Sequence, residues 1–137
     1  MGLYVTATGL TQETCFDCGY LSYDNFLCKL ATVAYGEEMG ELYRKFTHTD
    51  YFGTPTQEEI EFWNSNCNDD LDMFLFHSDC DGKFTPKECR KIYKALKPLK
   101  MDLIGHNYIV MQPYNMLEHW KDIFKHCADR RVNLYYR

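Results

Sequence analysis

The sequence has no apolar run long enough to cross a bilayer, so it predicts no membrane-spanning helix. Its first residues, MGLYVTATGL, lack the basic start and long apolar stretch of a secretory signal peptide. The motifs G-x-S-x-G, the P-loop and H-E-x-x-H are also missing, which removes common signatures of hydrolases, nucleotide-binding enzymes and zinc proteases. These absences favour a cytoplasmic protein that acts without catalysis.

The length and composition indicate one compact domain over residues 1–137. Hydrophobic residues make up 45% and charged residues 26%, which is an ordinary balance for a globular protein. Aromatic residues reach 16%, with eleven tyrosines and nine phenylalanines. Aromatic rings bury a large area in a core, and tyrosine is enriched where proteins recognise partners. The composition therefore favours a solid core and a protein-binding role.

Seven cysteines, an odd number without a secretory signal, indicate reduced thiols in a cytoplasm. Cys15 and Cys18 form a lone C-x-x-C, and a zinc site would need two further ligands. We expect ordinary loop thiols there, with a metal or redox role left as an alternative. Four other cysteines fall on apolar stripes of predicted helices, where free cysteine acts as a small buried hydrophobe: Cys28, Cys67, Cys89 and Cys127.

Hydrophobic periodicity predicts an α+β fold that is mostly α-helical, with four to five helices. Helices are expected over 23–35 after a Ser22 cap, 37–46, 57–76, the stretch between Thr85 and Pro98, and 114–128. Residues 3–8 and the final VNLYYR read as strands, and we expect these terminal strands to pair in a small sheet. The segment 99–112 is either a strand, through YIVMQ, or a buried turn.

Two residue patterns fix helix boundaries with some precision. Thr56 with Glu59, and Thr85 with Glu88, match the capping box in which two side chains satisfy the first backbone N–H groups. Gly36 suits the end of the helix that precedes it.

Charge is separated along the chain, whose net charge is −5. Residues 46–82 hold nine acids and no lysine or arginine, whereas residues 83–100 hold seven basic residues against Glu88. We expect an acidic and a basic helix to lie side by side and neutralise each other. A basic face for nucleic acid or a phosphorylated ligand is the alternative, which the acidic total disfavours.

The segment HSDCDGKFTPKE, residues 77–88, matches an EF-hand loop with Gly82 at its sixth position. The first ligand would then be His77, whose nitrogen suits calcium poorly, because this hard cation prefers oxygen. We therefore expect a structural helix–loop–helix joint in which Gly82 takes a positive φ, Thr85 caps the next helix and His77 caps the previous one. Calcium remains an alternative, with these ligands: Asp79, Asp81, the Lys83 carbonyl, Thr85 and Glu88.

A third hypothesis uses the same segment for catalysis. A neutral His77 oriented by Asp79 or Asp81 would be a workable general base in a tyrosine-lined pocket. The candidate functional residues of the motif are His77, Ser78, Asp79, Asp81, Gly82 and Glu88.

Four stretches carry a family resemblance: MGLYVTA, GYLSYDNF at 19–26, HSDCDGKFTPKEC at 77–89 and VNLYYR. Together they resemble a family of small bacterial and bacteriophage proteins to which no activity is attached. The family has aspartate where this chain has Tyr4, and residues 99–115 have no counterpart in the resemblance. The resemblance implies that His77 is part of the motif, not a damaged calcium ligand, and that the protein works in a prokaryotic cytoplasm or that of a phage host.

The leading hypothesis is a small cytosolic, non-enzymatic module that binds a protein partner, a host protein if a phage encodes it. The alternatives are a calcium-binding module at residues 77–88 and a small enzyme using His77. No membrane association and no cofactor are expected, with calcium as the alternative, and nucleic acid is disfavoured as a partner.

Overall fold

The computed structural model describes residues 2–10, 17–78, 81–101, 106–107, 112–113 and 116–136, and confirms the predicted mostly helical α+β class. Its helices are α1 (Tyr20–Tyr35), α2 (Glu37–Thr47), α3 (Thr49–Phe52), α4 (Gln57–Asn66), α5 (Asp69–Leu75), α6 (Pro86–Leu96) and α7 (Met116–Arg130). Its strands are β1 (Gly2–Thr6), β2 (Asp17–Gly19), β3 (Lys83–Phe84), β4 (His106–Asn107), β5 (Gln112–Pro113) and β6 (Leu134–Tyr136).

The main sheet joins the two ends of the chain. Its order is β2-β1-β6-β3, and every pairing is antiparallel. Val5 lies opposite Tyr136, which confirms that the terminal strands pair. Phe84 lies opposite Leu134, so the loop after α5 is fixed to the last strand. Strands β4 and β5 form a separate two-stranded pair, and the YIVM of 108–111 lies outside the described residues.

An aromatic cluster fills the space between the sheet and helices α1, α5 and α7. Phe74 of α5 lies at its centre, with ring centroids 5.1 Å from Trp120 and 5.0 Å from Phe124. Tyr23 of α1 and Tyr136 of β6 meet through their hydroxyls at 3.0 Å. The high aromatic content therefore serves first to build the core of a short chain.

The prediction of a single helix over 57–76 is wrong. The helix is interrupted at Cys67 and Asn68, after which α5 begins. The Asn68 side chain accepts hydrogen bonds from the N–H groups of Asp70 and Leu71, at 2.9 and 3.4 Å. Asparagine is a strong helix N-cap, and the aspartates that follow favour the positive end of a helix. These local signals outweigh the helical hydrophobic spacing that runs across the break.

The other helix boundaries divide into confirmed and corrected ones. Gly36 has φ +98° and separates α1 from α2, as predicted. Ser22 does not cap α1, because that helix already begins at Tyr20. The segment 48–56, HTDYFGTPT, lies between two predicted helices and contains the short α3. The split of 57–76 adds a further helix, so seven helices, not the expected four to five, appear among the described residues.

The cysteines of the described helices follow the predicted pattern in part. Cys28, Cys89 and Cys127 are buried free thiols, whereas Cys67 is half-buried at the end of α4. Cys18 lies in β2, and Cys15 lies outside the described residues. In the part of the chain that the structure describes, no helix has the length and apolar character needed to span a bilayer.

Candidate functional site

The segment 77–88 joins α5 to α6 and adds strand β3 to the sheet on the way. Gly82 has φ +98°, as expected, and its carbonyl accepts the N–H of Tyr136 at 2.9 Å. Lys83, whose carbonyl was a predicted calcium ligand, lies in β3 opposite Tyr135. Ser78 and Asp81 are exposed, and Asp79 lies outside the described residues.

His77 packs as an aromatic ring and does not cap α5 as predicted. Its ring centroid lies 4.2 Å from that of Phe84 and 4.6 Å from that of Tyr136. Its Nδ1–H donates to the carbonyl of Ser78 at 2.8 Å, not to a helix carbonyl. A Cβ at position 82 would approach the imidazole to 3.1 Å, so Gly82 also provides room for this ring. The motif therefore joins His77 to the sheet through contacts that need no ion.

Thr85 and Glu88 form the predicted capping box at the start of α6. Glu88 Oε1 accepts the backbone N–H of Thr85 at 2.9 Å, and Thr85 Oγ1 accepts that of Glu88 at 3.3 Å. Within the described residues, no group of three or more histidine, cysteine or acidic side chains is placed to hold a metal. Calcium binding at 77–88 stays a prediction, and two of its expected ligands already have a structural role.

Replacing Thr85 by alanine is expected to lower the free energy of unfolding by about 1 kcal/mol, because one cap hydrogen bond is lost. Urea unfolding of the wild type and Thr85→Ala, each with calcium and with a chelator, measures this. The loss should be the same in both media. A loss that grows when calcium is added would contradict the capping role and support a calcium site.

The histidine that does bond to a helix end is His48, which the sequence analysis missed. Its Nδ1 lies 2.9 Å from the carbonyl of Arg44 at the end of α2, and its Nε2 lies 3.0 Å from Asp24 Oδ2 on α1. Its two ring nitrogens thus face one oxygen at the end of α2 and one on α1. His48 therefore fixes α2 against α1, which matters because α2 forms one wall of the two grooves described next.

An open groove of about 430 Å³ lies where α2, α3, α4 and α5 meet. Its lining is mostly apolar, and we call it the aromatic groove: Phe46, Thr49, Pro55, Ile60, Trp63, Asn64, Asp72 and Phe76. Phe76 and Ile60 are exposed by 47% and 39%, although both are large and apolar. Ile60, Trp63 and Cys67 recur at the three- and four-residue spacing that predicts a buried helix face, yet Ile60 lies at the surface.

Asp72 holds the base of the aromatic groove in place. Its Oδ2 accepts the indole N–H of Trp63 at 2.9 Å, and its Oδ1 accepts the hydroxyl of Tyr35 at 2.8 Å. Burial raises the pKa of Tyr35, and Asp72 raises it further, so the phenol remains a neutral donor. Burial likewise raises the pKa of nearby Cys67 to about 11, with Asp72 as the second cause. The thiol is therefore a poor nucleophile at neutral pH.

A second groove of about 450 Å³ lies between α2 and α4, and we call it the acidic groove. Its lining combines four glutamates with one cation and two apolar residues: Glu38, Glu41, Leu42, Lys45, Glu58, Glu59 and Phe62. Lys45 binds both oxygens of Glu59, at 2.9 and 2.8 Å, which lowers the pKa of this carboxyl. Glu38, Glu41 and Glu58 are exposed and form no ion pair with any described residue.

Helix α4 thus separates an aromatic surface from an acidic one, and nearby Tyr51 and Phe52 are also exposed. The sequence contained one signal of this region, namely the lack of lysine and arginine between residues 46 and 82. Comparison with models of known protein families, with curated proteins and with solved structures finds no match to this chain. Function is therefore inferred from the geometry alone.

Proposed function

We propose that the chain is a non-enzymatic protein-binding module that accepts a basic segment of a partner protein on the two grooves beside α4. The observation that carries this proposal is an exposed aromatic groove next to three glutamates that no described cation neutralises, namely Glu38, Glu41 and Glu58. An apolar side chain of the partner would enter the aromatic groove, and its lysines or arginines would meet the acidic groove.

The aromatic groove has the character of a binding hot spot. Such sites are apolar, rich in aromatic rings and supported by a rigid base. Trp63 provides this base. Its ring centroid lies 5.5 Å from that of Phe46 and 5.6 Å from that of Phe76, and its indole N–H donates to Asp72. The groove volume of about 430 Å³ is large enough for one or two bulky side chains.

Charge complementarity selects a basic partner. The acidic groove has four carboxylates against the single ammonium of Lys45, and that ammonium is already bound to Glu59. Acidic residues continue on the exposed parts of α4 and α5, with Glu61 and Asp69. A positively charged partner would associate faster, and the charge pairs would set its position along the groove. An acidic segment would be repelled.

The described polar groups favour binding over catalysis. Among the described residues, Asp72 is the only titratable group that lines the aromatic groove, and both of its oxygens accept hydrogen bonds from neighbouring aromatic side chains. His77 lies in a different place, against Phe84 and Tyr136, and no carboxylate of the described residues bonds to its ring. Among the described residues that line the two grooves there is no histidine, and the pair of His48 and Asp24 at the end of α2 is not part of either lining.

Two labelled peptides of alternating amphipathic pattern test the proposal, one built from lysine and leucine and the other from glutamate and leucine. Fluorescence anisotropy should show that the wild type binds the lysine peptide more tightly. Glu41→Lys should weaken this binding on the order of tenfold, because an attractive charge becomes repulsive. Ile60→Asp should weaken it by a similar factor through loss of the apolar contact.

Asp122→Lys is the matched control for Glu41→Lys, since it makes the same change of charge on the exposed side of α7. It should leave binding nearly unchanged, and all variants should unfold at temperatures close to the wild type. Equal binding of the two peptides, or an equal loss in Glu41→Lys and Asp122→Lys, would argue that no specific surface is involved. Absence of binding to either peptide would also count against the proposal.

A further inference from the structure

Helix α6 presents a row of cations along its exposed side, which we call the cationic stripe: Lys87, Arg90, Lys91, Lys94 and Lys97. These positions recur at three- and four-residue intervals, so they share one face. The buried residues Cys89, Ile92 and Leu96 occupy the opposite face. With a rise of about 1.5 Å per residue, the stripe extends over about 15 Å.

The expected neutralisation of these cations does not occur in the described residues. The ion pairs among all described residues involve Lys45, His48, Lys121 and Lys125. None of them involves a residue of the stripe. The single acid of α6, Glu88, is bonded to Thr85 in the capping box. Within the described residues, the stripe therefore has no acidic partner at ion-pair distance.

The stripe is unfavourable for the helix that carries it. Lys87 with Lys91, and Arg90 with Lys94, are like charges at a spacing of four residues, where opposite charges would stabilise a helix. Lys87 also lies in the first turn, next to the positive end of the helix dipole. A ligand of opposite charge would relieve both repulsions.

We propose that the cationic stripe binds the phosphate backbone of a nucleic acid without reading its base sequence. Phosphate contacts require point charges at close spacing, which lysine provides well. A protein partner fits this surface less well, because lysine is depleted in protein interfaces and the stripe itself contains no apolar anchor. The inference goes beyond the binding of a basic segment, which uses different helices.

The neighbouring helix favours a narrow ligand over a flat membrane surface. Helix α7 packs against α6 and exposes Glu118, Asp122 and Asp129. A broad anionic bilayer pressed on α6 would also approach these acids, whereas a nucleic-acid strand can follow the stripe alone. The negative net charge of −5, which disfavoured nucleic acid at first sight, is thus compatible with a local phosphate-binding surface.

The experiment measures anisotropy of a labelled duplex DNA of random sequence over a range of salt concentrations. If all five cations contact phosphates, the logarithm of the binding constant should fall against that of salt with a slope of about −4.5. The triple variant Lys87→Gln, Lys91→Gln, Lys94→Gln should bind more weakly and reduce the slope to about −2. It should still bind the lysine–leucine peptide, so the two proposals are tested separately.

The matched control is Lys29→Gln, Arg130→Gln, Arg131→Gln, which removes the same charge from exposed positions outside the stripe. This variant should retain the wild-type affinity and slope for DNA. The proposal is overturned if the wild type does not bind DNA at low salt, or if both triple variants lose affinity equally. Tighter binding to polyglutamate or to anionic phospholipid vesicles than to DNA would also overturn it, in favour of an acidic protein or a membrane.

Discussion

Replacing Phe74 by alanine is expected to lower the free energy of unfolding by about 3–5 kcal/mol, the range for large aromatic residues in cores. Phe74 has no exposed surface, and its ring joins the helices to the sheet. Its aromatic neighbours come from three other elements: Tyr23 and Phe26 of α1, Phe84 of β3, and Trp120 and Phe124 of α7. The cavity left by the ring could not close without moving all of them.

Phe76 provides the control, since it lies two residues further along and is 47% exposed. Phe76→Ala removes a ring of the same size, but it should cost clearly less because part of the ring is already in water. Urea unfolding of the two variants gives the difference. Equal costs would show that Phe74 is not the centre of the core. Phe76→Ala should instead reduce peptide binding at the aromatic groove.

Gly40→Ala is expected to destabilise the protein by about 1–3 kcal/mol, the usual cost of overpacking a close contact. Helices α1 and α2 meet at this residue, and a Cβ there would lie 1.9 Å from Thr32 Oγ1 and 3.0 Å from Thr32 Cα. Rotation of the Thr32 side chain can remove the first contact, whereas the second requires the helices to move apart. Intrinsic helix propensity alone would predict the opposite sign, since alanine favours helices over glycine.

Thr32→Ala tests whether the cost comes from this contact. It removes the hydroxyl that clashes, together with that hydroxyl's bond to the Cys28 carbonyl at 3.1 Å. Gly40→Ala should therefore cost less in the Thr32→Ala background than in the wild type, with a coupling of at least about 0.5 kcal/mol. Additive effects in thermal or urea unfolding would place the strain elsewhere.

The helix boundaries that the sequence predicted correctly are those set by local chemistry. The capping boxes at Thr56 and Thr85 begin α4 and α6, and Gly36 ends α1, because each depends on a few neighbouring residues. The break at Asn68 was missed, since the apolar spacing across it is compatible with one long helix. At this position the Asn68 side chain caps a new helix, although the apolar spacing continues across it.

The grooves could not be predicted in the same way, because they depend on how helices pack. Ile60 falls at a spacing typical of a core, and only the placement of α4 against α2 and α5 exposes it. Pairing of charges is also a tertiary property. The acids of 46–82 and the cations of 83–100 looked complementary in sequence, yet no described ion pair joins them.

For His77, the motif predicts the local backbone but not the environment of the side chain. Its place in an EF-hand-like spacing correctly indicated a joint between two helices with a positive φ at Gly82. The environment of its ring, between Phe84 and Tyr136, arises from β6 at the far end of the chain. No local pattern contains this information.

The most direct test of the binding proposal follows the two tryptophan indole N–H resonances in a nitrogen-15 correlation spectrum while the lysine–leucine peptide is added. Trp63 lines the aromatic groove, whereas Trp120 lies in the core with no exposed surface. The account predicts a progressive, saturable shift of the Trp63 resonance and almost none for Trp120. An unchanged Trp63 resonance at peptide concentrations that saturate binding would contradict it.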